Sequence, residues 1–154
     1  MGCVEYRDGF RSLVADVPGL IDGAGRGRGR CHDFLRHIER TRRVLLYLVD
    51  IAESDGRCPK NDLKILKEDI RSYGDGDMMN RTTLVVANKI DLVSPDRGEE
   101  LLLELRAVAE ACGIQFVGDV LGISAGVTGE GLSTLTKAMR NIVEEEEARY
   151  SKTA

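Results

Sequence analysis

Four polar residues stand at the ends of predicted strands in this 154-residue chain: Asp16, Asn88, Asp91 and Ser124. Their carboxylate, amide and hydroxyl groups can form hydrogen bonds with a polar ligand. In open α/β sheets, ligands bind beyond the carboxyl ends of the strands. The position of these residues therefore predicts a binding site built from loops that follow strands.

The strands that must position these residues are predicted from apolar patterning. Residues 3–7 and 10–16 form a hairpin, because Asp-Gly between apolar segments is a strong hairpin signal. Residues 44–49 and 82–87 are continuous apolar runs, which are typical of parallel strands covered on both faces. A further strand lies within 115–123.

Helices are predicted between these strands from helical spacing of apolar side chains. The third helix has a suitable start at Ser94-Pro95, and the acidic run at 144–147 with the polar end is expected to fray. The alternation of strands and helices predicts an α/β domain with a mostly parallel sheet. The predicted helices cover 32–42, 63–73, 95–112 and 132–142.

The composition is that of an ordinary globular domain, with 42% hydrophobic and 31% charged residues. The net charge of -4 gives no electrostatic reason to expect DNA or general nucleic-acid binding. Four cysteines without C-x-x-C spacing predict reduced thiols in an intracellular reducing compartment. No apolar run is long enough to predict a membrane span.

Each of the site loops has a simpler structural interpretation when it is taken alone. Residues 88–91 (Asn-Lys-Ile-Asp) can be a polar turn, residues 16–19 (Asp-Val-Pro-Gly) a Pro-Gly turn, and residues 123–125 a small-residue turn before a helix. Their order along the chain and their place after strands favour one shared site. Intervals of about 70 and 35 residues fit crossovers that contain helices.

Together these loops resemble the nucleotide-binding motifs of the GTPase superfamily. Residues 88–91 match N-K-x-D, the guanine-specificity motif, and residues 16–19 match D-x-x-G, which begins a mobile switch. Ser124 and Ala125, followed by Thr-Gly-Glu-Gly, resemble the loop that closes the guanine pocket, with Gly126 as an insertion.

The segments 16–24 (DVPGLIDGA) and 32–41 (HDFLRHIERT) closely resemble the Obg family of GTPases. The resemblance covers about residues 2–143 and implies a three-layer P-loop NTPase fold of the Ras-like type. We therefore expect residues 1–143 to be a partial G domain, from switch II to the last helix, and residues 144–154 to be an acidic, polar tail.

The resemblance also implies site roles. Asp91 would accept hydrogen bonds from the guanine N1–H and exocyclic amine, while Asn88 supports the loop. Lys89 would cover the base, and Ser124 with Ala125 would close the pocket.

Residues of the second motif would contact the phosphates and the metal. Asp16 would hold Mg²⁺ through water, and Gly19 would contact the γ-phosphate, with Val17 and Pro18 between them. In the family, GTP is hydrolysed to GDP with Mg²⁺ and the protein assists assembly of the large ribosomal subunit, which makes rRNA an expected partner.

The sequence contains no G-x-x-x-x-G-K-[S/T] loop, which cradles the phosphates in this class. We therefore expect weak or no nucleotide binding and no hydrolysis by this chain, as an incomplete product of a longer gene. The alternative is a degenerate, non-catalytic G domain that acts as a binding module in ribosome assembly.

Two further patterns have simpler interpretations. The Gly-Arg repeat at 25–30 suggests an RNA-binding or dinucleotide loop, but it lacks the third glycine of G-x-G-x-x-G and is interpreted as part of the switch. Cys31, His32 and His37 are too few to predict a metal site.

Overall fold

A computed structural model describes residues 2–16, 44–71 and 77–151. The predicted helix at 32–42 lies outside the described residues, as do Val17, Pro18, Gly19 and the segment 25–37. The described elements, in chain order, are β1 (Gly2–Glu5), β2 (Arg11–Val14), β3 (Leu45–Asp50), α1 (Pro59–Arg71), β4 (Thr83–Asn88), α2 (Pro95–Ala111), β5 (Leu121–Ile123) and α3 (Leu132–Ser151). Short 3₁₀ turns cover Asp77–Asn80 and Ile90–Leu92.

Strands β3, β4 and β5 form a parallel sheet in that order, with β4 in the middle. The apolar run predicted at 82–87 corresponds to β4, and its residues from Thr83 to Ala87 are buried. In this register Asp50 pairs with Asn88, and Asn88 with Ile123. The carboxyl ends of all three strands therefore meet at one edge, where the site residues lie.

Helices cover both faces of this sheet. On one face, Tyr47, Val49 and Val85 share a core with apolar residues of α1 and α2. On the other face, Leu84 and Val86 pack with residues of α3. The arrangement is the predicted three-layer α/β fold with a parallel sheet, and the even burial of β4 explains why its sequence is continuously apolar.

The hairpin β1–β2 is a separate antiparallel sheet that packs against α3. The Tyr6 hydroxyl donates a hydrogen bond to the Thr136 carbonyl oxygen at 2.7 Å. The Arg140 guanidinium pairs with Asp8 and lies over the rings of Tyr6 and Phe10, at 5.2 and 4.9 Å from their centroids. This hydrogen bond from Arg140 lowers the pKa of Asp8. The hairpin is thus held by a helix more than 100 residues away in sequence.

Two local predictions need correction. Residues 144–147 are part of α3, which continues to Ser151, and the Thr82 hydroxyl donates to Glu146 at 2.6 Å. Ser94 is the N-cap residue of α2, but its side chain makes no capping hydrogen bond. Its carbonyl oxygen accepts from the Gly98 N–H at 2.8 Å instead, which is the first helical bond.

Within the described ranges, no helix has the length and apolar character needed to span a membrane. The cysteines at 3, 58 and 112 are free thiols.

Tyr47 provides a test of the packed core at high pH. Its side chain is 6% exposed, and burial raises its pKa to about 12, whereas an unfolded tyrosine titrates near pH ~10. The folded state therefore holds this proton more tightly. The contribution of Tyr47 to the free energy of unfolding is fully present below pH ~10. It decreases by about 1.4 kcal/mol per pH unit as the pH rises toward 12.

Ultraviolet titration of phenolate absorbance should show a tyrosine that ionises near pH 12. The same transition should disappear in Tyr47→Phe, whose stability should depend less on pH above about 10. Identical titration curves for the two proteins would contradict this burial.

Candidate functional site

The loops after β4 and β5 are joined by one hydrogen bond at the edge of the sheet. The Ala125 N–H donates to the Asn88 side-chain oxygen at 3.1 Å. Asn88 ends β4 and is paired in register with Ile123 of β5, directly before Ser124. The two loops that the sequence predicted to share a site are therefore in direct contact. The Ala125 N–H is already bonded to Asn88, so a guanine oxygen that accepted from this N–H would have to share or replace the hydrogen bond with Asn88.

Ser124 organises the loop from 124 to 131. It is completely buried, and its hydroxyl accepts from the Thr128 N–H at 3.1 Å. Its own N–H donates to the Glu130 carbonyl, and its carbonyl accepts from Gly129. These bonds close the loop around Ser124. At Gly126, a Cβ atom would meet no heavy atom within 4 Å, so this part of the loop is open to solvent.

Lys89 lies between the two motif residues Asn88 and Asp91 in an unusual backbone conformation. Its φ of 67° and ψ of 36° are left-handed, a region that non-glycine residues rarely occupy outside functional or strained positions. Its ammonium group donates to Asp50 Oδ2 at 2.6 Å. The backbone therefore turns sharply after β4, and the Lys89 side chain crosses toward the end of β3.

The Asp50–Lys89 pair changes the pKa of both groups. Burial acts to raise the pKa of Asp50, but hydrogen bonds from Lys89, the Ala52 N–H and the Ser54 hydroxyl together lower it. The hydrogen bond with Asp50 raises the pKa of Lys89. Both groups are therefore charged across the neutral range.

Asp91 is the available acceptor of the site. It is half-buried in the 3₁₀ turn after Lys89, and in the described part of the chain its carboxylate forms no hydrogen bond or ion pair. A half-buried carboxylate without a partner can accept two N–H groups from a ligand. Asn88, Lys89, Asp91, Ser124 and Ala125 are thus brought together by the loops that follow β4 and β5.

Asp16 lies elsewhere, as an exposed residue after β2 in the other sheet. None of the described hydrogen bonds joins it to the loops after β4 and β5. The other residues of its motif, Val17, Pro18 and Gly19, are outside the described ranges. Among the residues described, no three potential metal ligands are clustered.

The sequence is similar to those of several bacterial GTPases. It is 41% identical over 138 residues to the GTPase Obg of Desulfitobacterium hafniense strain DCB-2, covering 90% of this chain. It is 38% identical over 152 residues to the GTPase Obg of Herpetosiphon aurantiacus, covering 99% of this chain. The chain is a homologue of the Obg GTPases.

This Obg homologue spans only 30% of the Desulfitobacterium protein and 33% of the Herpetosiphon protein. Its fold is similar to that of nucleolar GTP-binding protein 1 from Plasmodium falciparum, with a TM-score of 0.70 and 20% identity, over 99% of this chain and 73% of that one. No protein-family model matches the sequence.

Sequence reasoning about the Obg homologue missed two features of the site. Asp50 directly follows the apolar run 44–49, and that run gives no indication that its carboxylate pairs with Lys89. The parallel register that sets Asp50 beside Asn88 is a property of the folded sheet, so the sequence alone does not indicate this contact. The left-handed backbone of Lys89 carries no sequence signal, because it arises from the turn between β4 and the 3₁₀ segment.

Proposed function

We propose that this chain carries the guanine-recognition half of an Obg-type GTP-binding site. The observation that supports this most directly is the Asp91 carboxylate, which is half-buried and forms no hydrogen bond or ion pair in the described part of the chain. It lies in the loop after β4, which is linked to the loop after β5. Guanine presents two adjacent donors, N1–H and the exocyclic amine, which suit one carboxylate. Adenine lacks that pair of donors and would leave a buried acceptor unsatisfied.

In this proposal the remaining site residues shape the base pocket. Asn88 holds the Ala125 loop in place, and Ser124 keeps that loop closed from inside. The aliphatic stem of Lys89 covers the base. Recognition would come from one hydrogen-bonded carboxylate and a loop that is already formed before the nucleotide binds, which limits the entropy lost on binding.

One residue named in the proposal, Asp16, is a candidate ligand for Mg²⁺. This ion is commonly bound by one or two carboxylates together with substrate phosphates, and Asp16 is an exposed carboxylate just after β2. We propose that Asp16 would hold the ion through water. The ion, when bound, would neutralise phosphate charge.

The resemblance to Obg proteins further supports GTP hydrolysis and assembly of the large ribosomal subunit as the activity of the whole protein. The net charge of -4 adds no electrostatic support for an rRNA contact. Because the sequence lacks the glycine-rich phosphate loop, we propose that this chain alone binds weakly and does not hydrolyse GTP.

Base selectivity tests the proposal without requiring tight binding. GDP and ADP are each titrated into isotope-labelled protein while amide NMR signals are followed, because this measurement detects even millimolar affinities. We expect GDP to shift the amides of Lys89, Asp91 and Ala125 in a saturable way and ADP to leave them unchanged. Equal shifts with both nucleotides would contradict guanine recognition, and no saturable shift with either would favour a non-catalytic binding module.

A further inference from the structure

The two carboxylate oxygens of Asp50 have different partners. Oδ1 accepts the Ala52 N–H at 2.9 Å, which closes the turn after β3. Oδ2 accepts from the Lys89 ammonium at 2.6 Å. Strands β3 and β4 are paired so that Asp50 lies opposite Asn88. The contact with Lys89 therefore joins the end of β3 to the residue that directly follows β4.

Lys89 needs a partner if its side chain is to lie in one place. Its side chain is 38% exposed, and that of Asp50 is 22% exposed. A free lysine stem has many rotamers, and holding it in one of them costs conformational entropy. The ion pair with a less exposed carboxylate selects one set of rotamers before any ligand arrives. Asp55 and Asp91 act on Lys89 only through space.

We propose that Asp50 is a positioning residue for base recognition, which fixes the Lys89 stem over the guanine by holding its ammonium group at the end of β3. The inference rests on the proposed function of the site. Asp50 touches neither the base nor the phosphates in this arrangement, and it acts only through Lys89. Its effect should therefore be the same for guanosine and for GDP, because both contain the base that the lysine covers.

Asp50→Asn separates the contact with Lys89 from the contacts within the turn after β3, where the Ala52 N–H and the Ser54 hydroxyl donate to Asp50. The amide oxygen can still accept the Ala52 N–H, while the amide nitrogen replaces the oxygen that binds Lys89. We expect guanosine and GDP to bind the variant about 3- to 10-fold more weakly, by NMR titration of the full chain. Asp55→Asn is the matched control, since Asp55 is an exposed carboxylate in the same loop. It removes the same charge and should leave both affinities unchanged.

A double-mutant cycle distinguishes positioning from a merely structural role. Lys89→Met keeps an aliphatic stem but cannot pair with Asp50. In the Lys89→Met background, Asp50→Asn should have no further effect on affinity, because the interaction it breaks is already gone. An equal loss in both backgrounds would overturn the proposal, as would an equal loss in Asp55→Asn.

A measurement without nucleotide keeps this inference separate from the proposed function. NMR relaxation of the Lys89 ε-methylene should report a restricted side chain in the wild type and in Asp55→Asn, and a mobile one in Asp50→Asn. Equal mobility in all three proteins would overturn the positioning role even if guanine binds. Failure of guanine to bind the wild-type chain would overturn the proposed function and, with it, the role of Asp50 in recognition.

Discussion

Replacing Asp91 with asparagine is expected to abolish guanine binding and to create affinity for xanthine. The Asp91 carboxylate can accept both guanine donors, whereas an asparagine amide would direct its NH₂ group against the exocyclic amine. Xanthine carries a carbonyl oxygen at that position and would accept this N–H. We expect GDP affinity to fall by about 100-fold or more, because a hydrogen-bonding site strongly rejects a mismatched base.

The matched control for this exchange is Asp96→Asn. Asp96 is an exposed residue in the first turn of α2, so the substitution makes the same chemical change outside the site. NMR titrations with GDP and with xanthosine diphosphate compare the variants. Unchanged GDP binding in Asp91→Asn would mean that another group reads the base.

Replacing Gly131 with alanine is expected to destabilise the fold strongly, because Gly131 ends the loop from 124 to 131 in close contact with β5. Gly131 has a φ of 74°, and a Cβ atom there would lie 2.2 Å from the Gly122 carbonyl oxygen and 3.0 Å from a methyl group of Ile123. The backbone of β5 cannot move away without breaking its pairing with β4. We expect the free energy of unfolding to fall by at least about 2–3 kcal/mol, from steric overlap and left-handed strain together.

Gly126→Ala is the control within the same loop, because a Cβ atom at Gly126 meets nothing within 4 Å. This variant should unfold within about 0.5 kcal/mol of the wild type. Urea denaturation, monitored by circular dichroism, gives the free energy of unfolding of both proteins, provided that its dependence on urea concentration has the same slope. Similar stability of Gly131→Ala and wild type would show that β5 and α3 separate more easily than their contact suggests.

The fold was largely predictable because its signals are local. The buried strand β4 is a continuous apolar run, the hairpin turn contains Asp-Gly, and α2 is followed by Gly113, whose φ is 68°. The guanine motif is also local, since Asn88 and Asp91 are separated by two residues.

What could not be predicted depends on contacts between distant residues. Arg140 meets Asp8 across 132 residues of sequence, and Lys89 meets Asp50 across 39. No periodicity reports such pairs. Helix α3 extends beyond the predicted range 132–142 for a similar reason. Thr82, just before β4, holds Glu146, and an acidic run in the sequence does not indicate such a contact.

Helix α3 serves as a shared support for two parts of the molecule. In its first turn, the Leu135 N–H donates a hydrogen bond to the carbonyl of Gly131, the last residue of the loop from 124 to 131. Further along the helix, Thr136 and Arg140 contact the hairpin. The hairpin leads directly to Asp16. The loop from 124 to 131 and the hairpin that precedes Asp16 therefore both depend on α3, so partial unfolding of α3 would release both at once.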